Sequence, residues 1–517
     1  MPRPTLGSHR MLARPCAPAR ASSSSPDRPS SHRGGPRRTG RPASHSGAIM
    51  SHDPWRMGFH LMPPVGWLND PNGLCQLGGT YHVFHQYSPD WPAPDAPRGW
   101  GHFWSRDLVH WRSGGRAFAI APDTPDEASG AYSGCAVPFE GGVRLYYTGN
   151  VKEPGDFDYV RAGRRAAQIL VEAAPDPAAS GGLALGEKDV LLRNADYPAF
   201  CSCHVRDPKV WREGGAWWML LGARDLDDRG LALVLRSNDG RAWESAGAVR
   251  PTSPFGYMWE CPDRIELGGR EWLSFCPQGM AERPWADGVD DQSGYVPLPA
   301  GERLAADAEV DPRAFRRWDH GFDFYAPQSF VDESGRAILI GWMGMPDADF
   351  AGAPDGMTWC HCLTVPREVT AGADGALLQR PVRELEALRG TRHELAGGGS
   401  LTLGEHRADV LLARPEGPLE LWLDDALAIT WDGAELALRF ADDAVGCGRT
   451  GRAVACDDLR DLRVLVDSSA VEVFANDGEL AFATRWFPRS PTLTLVQKGQ
   501  ALLHAWEMGD GVAGTYE

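Results

Sequence analysis

The chain has 517 residues, 23% of them charged, and a formal net charge of −17. Such a length exceeds one ordinary domain and gives ample material for a large core. The acidic balance excludes a nucleic-acid-binding body and a broad polyanion-binding surface, leaving room only for a local phosphate pocket.

Residues 1–49 stand apart, with nine Arg, one Asp and neither Lys nor Glu, a count of +8 that leaves about −25 for the remainder. Arg, Pro, Ser and Gly dominate, Ser22–Ser25 form a run, and no apolar periodicity is present, which is the composition of a disordered extension. A nucleic-acid-binding arm is disfavoured because the segment has no aromatic residue. No apolar stretch follows the early arginines or Arg37-Arg38, so neither a secretory nor a twin-arginine signal is predicted. Met50 is the expected start and the cytoplasm the expected location. No run of about 18 apolar residues predicts a membrane span.

From about residue 58 to 370, short runs rich in Val, Leu, Tyr, Phe and Trp alternate with Gly, Pro, Asp and Asn clusters. This pattern predicts an all-β region. Its clearest strands are Thr80–Tyr87, Val143–Tyr147, Trp217–Leu221, Leu231–Arg236, Trp272–Cys276 and Ala337–Trp342. Two C-x-C pairs, Cys201/Cys203 and Cys360/Cys362, fall in strand-like segments. Structural zinc sites usually space their cysteines more widely, and alternate residues of a strand share a face, so burial as small hydrophobes is predicted and no metal. Eleven cysteines, an odd number without a framework spacing, fit reduced thiols. Pro381–Arg389 reads as a short helix that starts at Pro and ends at Gly390. Beyond it Ala426–Trp431, Glu435–Phe440, Leu462–Val466, Ala470–Phe474 and Thr492–Gln497 again read as strands, with Asn476-Asp477-Gly478 a hairpin turn.

Three carboxylates in this β-rich chain have unusual settings. Asp70 lies in Trp67-Leu68-Asn69-Asp70-Pro71-Asn72-Gly73, where Pro fixes φ and Asn and Gly admit left-handed geometry, so a strand breaks into a tight turn. Alone, Asp70 would be an acid capping its own backbone. Asp207 follows His204-Val205-Arg206 and precedes Pro208, and Glu260 stands in Met258-Trp259-Glu260-Cys261-Pro262-Asp263. An acid between Trp and Cys-Pro predicts partial burial, the setting of a general acid near neutrality, although alone it fits a structural acid paired with Arg equally well. Glycoside hydrolysis needs two carboxyl groups, one at the anomeric carbon and one at the leaving oxygen. Twenty Trp supply rings that stack on sugars, most of them assigned to packing.

Further segments accompany the three: His82–Tyr87, Trp100-Gly101-His102, Asp107–Trp111, Tyr132-Ser133-Gly134, Asp323–Gln328, Gly341-Trp342-Met343, Pro366-Arg367-Glu368 and Val471–Gly478. In order and spacing they resemble glycoside hydrolase family 32, the β-fructofuranosidases: invertases, sucrose-6-phosphate hydrolases, inulinases and levanases. The resemblance runs from about His60 to the end. It implies a five-bladed β-propeller followed by a β-sandwich, dividing the chain into a 1–49 extension, a 50–378 catalytic propeller, a 379–390 linker helix and a 391–517 sandwich. It implies Asp70 as nucleophile, Glu260 as acid and base, and Asp207 as holder of fructose hydroxyls, with Arg206 setting their ionisation. Asn69, Gln86, Tyr132 and Ser133 match substrate-contacting positions, and Trp91 and Trp342 are implied walls of the pocket. Neither a metal nor an organic cofactor is implied. The partner is a small sugar, sucrose, sucrose 6-phosphate or a fructo-oligosaccharide, with no nucleic acid and no membrane. The sequence departs from the family pattern at Arg264-Ile265, Phe103-Trp104, Glu282–Gly288 and Met345-Pro346-Asp347, which touches loop shape rather than the three acids. The expected activity is retaining hydrolysis of sucrose or its 6-phosphate. The alternatives are an exo-acting fructan hydrolase and a catalytically inactive fructoside-binding protein.

Overall fold

A computed structural model describes residues 53–93, 98–118, 124–159, 161–304, 307–346, 357–442 and 444–515. The 1–49 extension and Asp347 lie outside these residues. The described chain is nearly all β, and its named helical elements are single 3-10 turns or little more. Each strand predicted from the sequence falls, to within one residue, inside an observed one. No helix among the described residues is long and apolar enough to cross a membrane.

Between Gly66 and Pro381 five sheets of four or five strands follow one another. Their first strands are Gly66–Leu77, Gly130–Phe139, Cys201–Glu213, Met258–Leu267 and Tyr325–Val331. Each first strand packs beside the next, and the fifth returns to the first. A late strand, Trp359–Cys360, runs parallel to Gly66-Trp67 and so adds to the first sheet.

Two six-stranded sheets follow. One carries Arg407–Ala413, Asp461–Asp467 and Ala470–Ala475, the other Leu419–Leu423, Leu427–Trp431 and Glu435–Phe440. Ala408, Val410 and Leu412 of the first join Leu419, Leu421 and Leu423 of the second in one buried cluster. The period-2 alternation of these strands aims one face of each sheet at that shared core. The predicted turn is present, with Asn476, Asp477 and Gly478 all at positive φ between Ala470–Ala475 and Leu480–Arg485.

The two regions meet through a buried charge network. Asp467 accepts the backbone N–H groups of Gly58, Phe59 and His60 at 2.6, 2.8 and 2.8 Å. His60 places Nδ1 2.9 Å from Asp467 and Nε2 2.9 Å from Glu472, whose other oxygen takes Arg367 Nη2 at 2.5 Å. Because carboxylates only accept, both imidazole nitrogens donate and the ring is a cation.

Two expectations are corrected. The 381–389 helix is a 3-10 segment, Arg383–Leu388, and Gly390 is already in the strand Arg389–Ala396 because Arg389 pairs with Met508. Cys360 and Cys362 do not share a continuous strand, since His361 between them has φ +68° and the two cysteines join different sheets. Cys201, Cys203 and Cys360 are only partly buried, whereas Cys362 is fully so.

Candidate active site

Every one of the five first strands carries a one-residue bulge against its neighbour. The register slips between Leu68 and Pro71, Ala131 and Gly134, Arg206 and Lys209, Glu260 and Asp263, and Tyr325 and Gln328. Asp70, Ser133, Asp207, Glu260 and Tyr325 sit within or at the edge of these bulges, where an unpaired residue bends the strand and re-aims side chains. Four of the bulges include a proline, Pro71, Pro208, Pro262 or Pro327, which has no N–H to leave without a ladder partner. Asp207, Cys261 and Ala326 take φ of +64°, +45° and +46° there.

The bulged residues converge on a cavity of about 310 Å³. Asn69, Asp70, Gln86, Tyr132, Ser133, Arg206, Asp207, Glu260 and Trp342 all line it. Trp91 does not. Its ring packs beside Trp67, which does line the cavity, with centroids 6.3 Å apart.

Asp70 accepts a hydrogen bond from Asn69 Nδ2 at 3.1 Å on Oδ1 and a short one from Ser133 Oγ on Oδ2. Asn69 is itself held by Trp67 Nε1 at 3.0 Å and by Gln86 Oε1. Asp207 accepts the Cys261 N–H at 3.0 Å, and its own N–H donates to Thr148 Oγ1 at 3.0 Å. The Cys261 thiol lies 3.9 Å from Asp70 Oδ2. Thus Cys261 touches both aspartates while its neighbour Glu260 faces the same space. Glu260 is partly buried, with Arg206 donating to Oε1 at 2.6 and 3.2 Å and Tyr325 Oη donating to Oε2 at 2.7 Å.

Burial is the largest influence on the two aspartates. It raises Asp70 above the ordinary carboxylate range, against hydrogen bonds from Ser133 and Asn69 that pull it down. Asp207 is also raised by burial, opposed by Arg206 and reinforced by the Glu260 charge. Burial and the Glu260 charge push Tyr325 well above its usual value, so it remains a hydroxyl donor. His204 donates Nε2–H to the Tyr159 carbonyl at 2.9 Å and accepts Arg206 Nη1 at Nδ1, 2.6 Å away. Burial and the neighbouring arginines lower it to about 3, so it is neutral and serves to brace Arg206.

Sequence reasoning singled out nine of the lining residues and missed Arg98, Arg164, His204, Arg224, Tyr257, Gln278 and Tyr325 as site residues. Tyr325 carried a signal, since Tyr325-Ala326-Pro327 repeats the spacing of Glu260-Cys261-Pro262. The arginines had none, because they are brought in from second and third strands and connecting loops. Among the described residues no group of three or more His, Cys, Asp or Glu side chains is arranged to hold a metal ion.

Comparison with known proteins agrees with this architecture. The family model for the glycosyl hydrolases family 32 N-terminal domain matches residues 60–381, and that for the family 32 C-terminal domain matches 438–507. A sucrose-6-phosphate hydrolase of Klebsiella pneumoniae is 38% identical over 447 residues, 84% of this chain and 89% of that protein. The structure of sucrose-6-phosphate hydrolase from Lactobacillus gasseri superposes with a TM-score of 0.77 at 28% identity, covering 89% of this chain and 94% of that one. A mutant of a Bombyx mori family 32 β-fructofuranosidase in complex with sucrose aligns with a TM-score of 0.74 at 26% identity, over 88% and 94% of the two chains. The chain belongs to glycoside hydrolase family 32.

Proposed function

We propose that this protein is a retaining β-fructofuranosidase that hydrolyses the fructosyl bond of sucrose or sucrose 6-phosphate. The observation that carries the reading is the meeting of three acids from three separate sheets in one cavity, tied together through Arg206 and Cys261. Asp70 attacks the fructosyl anomeric carbon while Glu260 protonates the departing oxygen. Water then enters, Glu260 takes its proton, and fructose leaves Asp70 with its configuration retained. That outcome requires the two carboxyl groups to stand about 5–5.5 Å apart. Asp207 accepts hydrogen bonds from the fructose hydroxyls, and Arg206 holds Glu260 in its orientation. Asn69, Gln86, Tyr132, Ser133 and Trp342 complete the fructose pocket.

The ring of first strands supports reading residues 50–378 as a five-bladed β-propeller, with 379–390 a linker and 391–517 a β-sandwich. All ten described cysteines are free thiols, which fits a reducing cytoplasm. The names of the relatives favour the phosphorylated disaccharide, since both the Klebsiella and Lactobacillus proteins are called sucrose-6-phosphate hydrolases. Initial rates on sucrose, sucrose 6-phosphate, inulin and levan test the proposal. Faster turnover of the disaccharides is the expected result. Faster turnover of the polymers would replace it with the fructan reading, and turnover of none would favour a binding protein.

A further inference from the structure

Four arginines, Arg98, Arg164, Arg206 and Arg224, line the cavity of a chain whose net charge is −17. Arg206 is answered by Glu260 and, 3.8 Å away, by Asp207. Arg224 is answered by Asp228, which accepts its Nε at 3.0 Å and its Nη2 at 2.5 Å. Arg164 differs. Its Nε donates to the Tyr159 carbonyl at 2.9 Å, and its Nη1 donates to Tyr132 Oη at 3.0 Å and Asn150 Oδ1 at 3.2 Å. All three acceptors are neutral. The guanidinium is fixed in place with its charge unmatched by a carboxylate among the described residues.

Its position relative to the acids gives that charge a meaning. The same Tyr159 carbonyl also accepts His204 Nε2, and His204 in turn accepts the Arg206 that holds Glu260. Arg224 lies with Cζ 4.9 Å from the Tyr257 ring, and Tyr257 immediately precedes the strand carrying Glu260. Arg164 is thus linked to Glu260 through Tyr159, His204 and Arg206, and Arg224 through Tyr257, while Arg164 also holds Tyr132 at the edge of the fructose pocket. Arg98 lies elsewhere, 5.2 Å over Trp67, two residues from Asn69. A leaving group departs on the side of the acid that protonates it, so the cationic groups linked to Glu260 are the ones set to meet the departing sugar.

We propose that Arg164, together with Arg224, forms an anion subsite that recognises a phosphate monoester on the leaving hexose. The inference rests on the assignment of Glu260 as general acid made above. A phosphate brings nearly two negative charges and three strong acceptor oxygens, and a guanidinium answers them with paired N–H donors. An arginine held by neutral groups is set to do so without first breaking an ion pair.

The test is the ratio of kcat/KM for sucrose 6-phosphate to that for sucrose. The wild type should show a ratio above about 10. Arg164→Gln should lower the ratio about 10- to 100-fold, the loss expected for a charge-assisted contact, and Arg164→Lys should retain part of it. Arg98→Gln should leave the ratio within about threefold. Inorganic phosphate should compete with sucrose in the wild type, and more weakly in Arg164→Gln. Should Arg164→Gln fail to fold by thermal melting, Arg164→Lys, which keeps the charge without the paired donors, must still lower the ratio, and Arg224→Gln should lower it by less because Asp228 already holds that guanidinium. A wild-type ratio near one, or a ratio unmoved by the variant, would overturn the subsite while leaving the hydrolase intact. Competition by inorganic phosphate with a ratio near one would mean that the site takes only the free anion, which also overturns the proposal. Turnover of neither substrate would overturn the hydrolase reading itself, and this inference with it.

Discussion

Ser133→Ala isolates what the second sheet contributes to the nucleophile. Ser133 is 1% exposed, its hydroxyl donates to Asp70 Oδ2, and the chain around it is fixed independently by the Gly134 N–H bond to Asn72 Oδ1 at 3.1 Å. Removing one oxygen therefore removes one hydrogen bond and little else. Burial already raises Asp70, and the Ser133 bond is the largest influence opposing it. A hydrogen bond to a charged group is worth about 1.5–3 kcal/mol, and 1.36 kcal/mol corresponds to one pH unit, so its loss should raise Asp70 by about 1–2 units. Asp70 must be ionised to attack, so the acid limb of kcat/KM should move to higher pH by that amount. Initial rates of sucrose hydrolysis between about pH 4 and 9 read this directly. An acid limb that stays in place, whatever the plateau does, would contradict this, because the Ser133 bond would then not govern the ionisation of Asp70.

Two more outcomes follow from the buried charges. Asp207→Asn keeps an acceptor for the Cys261 N–H, and Asn tolerates the φ of +64° at this position. Turnover should fall about 10²–10³-fold, the scale for losing a transition-state contact. Asp207 is raised in the fold, so the stability it contributes is complete below about pH 4 and is lost as pH rises through its folded value. The variant should therefore melt above the wild type at pH 8 and level with it near pH 4, by calorimetry. For His60 the sign is the same but the window differs. Burial lowers His60, yet hydrogen bonds and charge from Asp467 and Glu472 outweigh it and raise it to about 9. Its contribution is complete below about pH 6.5 and is lost as pH climbs through about 9. His60→Ala should cost about 3–5 kcal/mol at pH 6 by leaving two buried carboxylates short of a cation, and denaturant titrations should show that cost shrinking at pH 9.

What the sequence made legible was local chemistry. Asp70 and Asp207 stood out because each precedes Pro, and Glu260 because it stands between Trp259 and Cys261-Pro262, and the structure ties that oddity to bulges that turn side chains out of the ladder. Strands such as Thr492–Gln497 were readable because their alternation is enforced by one buried face, Leu493 and Leu495 being buried and Thr494 and Val496 only partly so. Arg164 was not readable as part of a site. It opens the third strand of the second sheet among several loop arginines, and only the fold brings it to the cavity that Glu260 also lines. The end of the short helix was misplaced for a similar reason, since Gly390 is claimed by pairing across to the strand Leu502–Met508, more than 100 residues away. Trp91 was assigned by resemblance alone, and it is Trp67, whose ring lies 6.3 Å from that of Trp91, that lines the cavity.

Double displacement through Asp70 and Glu260 fixes the anomeric form of the first product, which can be read by trapping. Sucrose hydrolysis run in the presence of methanol and followed by NMR traps the fructosyl group as a methyl glycoside before mutarotation can blur the result. Retention predicts methyl β-fructofuranoside from the wild type and none from Asp70→Asn. Methyl α-fructofuranoside as first product would contradict a covalent fructosyl–Asp70 intermediate and assign the attack directly to the solvent nucleophile, methanol here and water in hydrolysis.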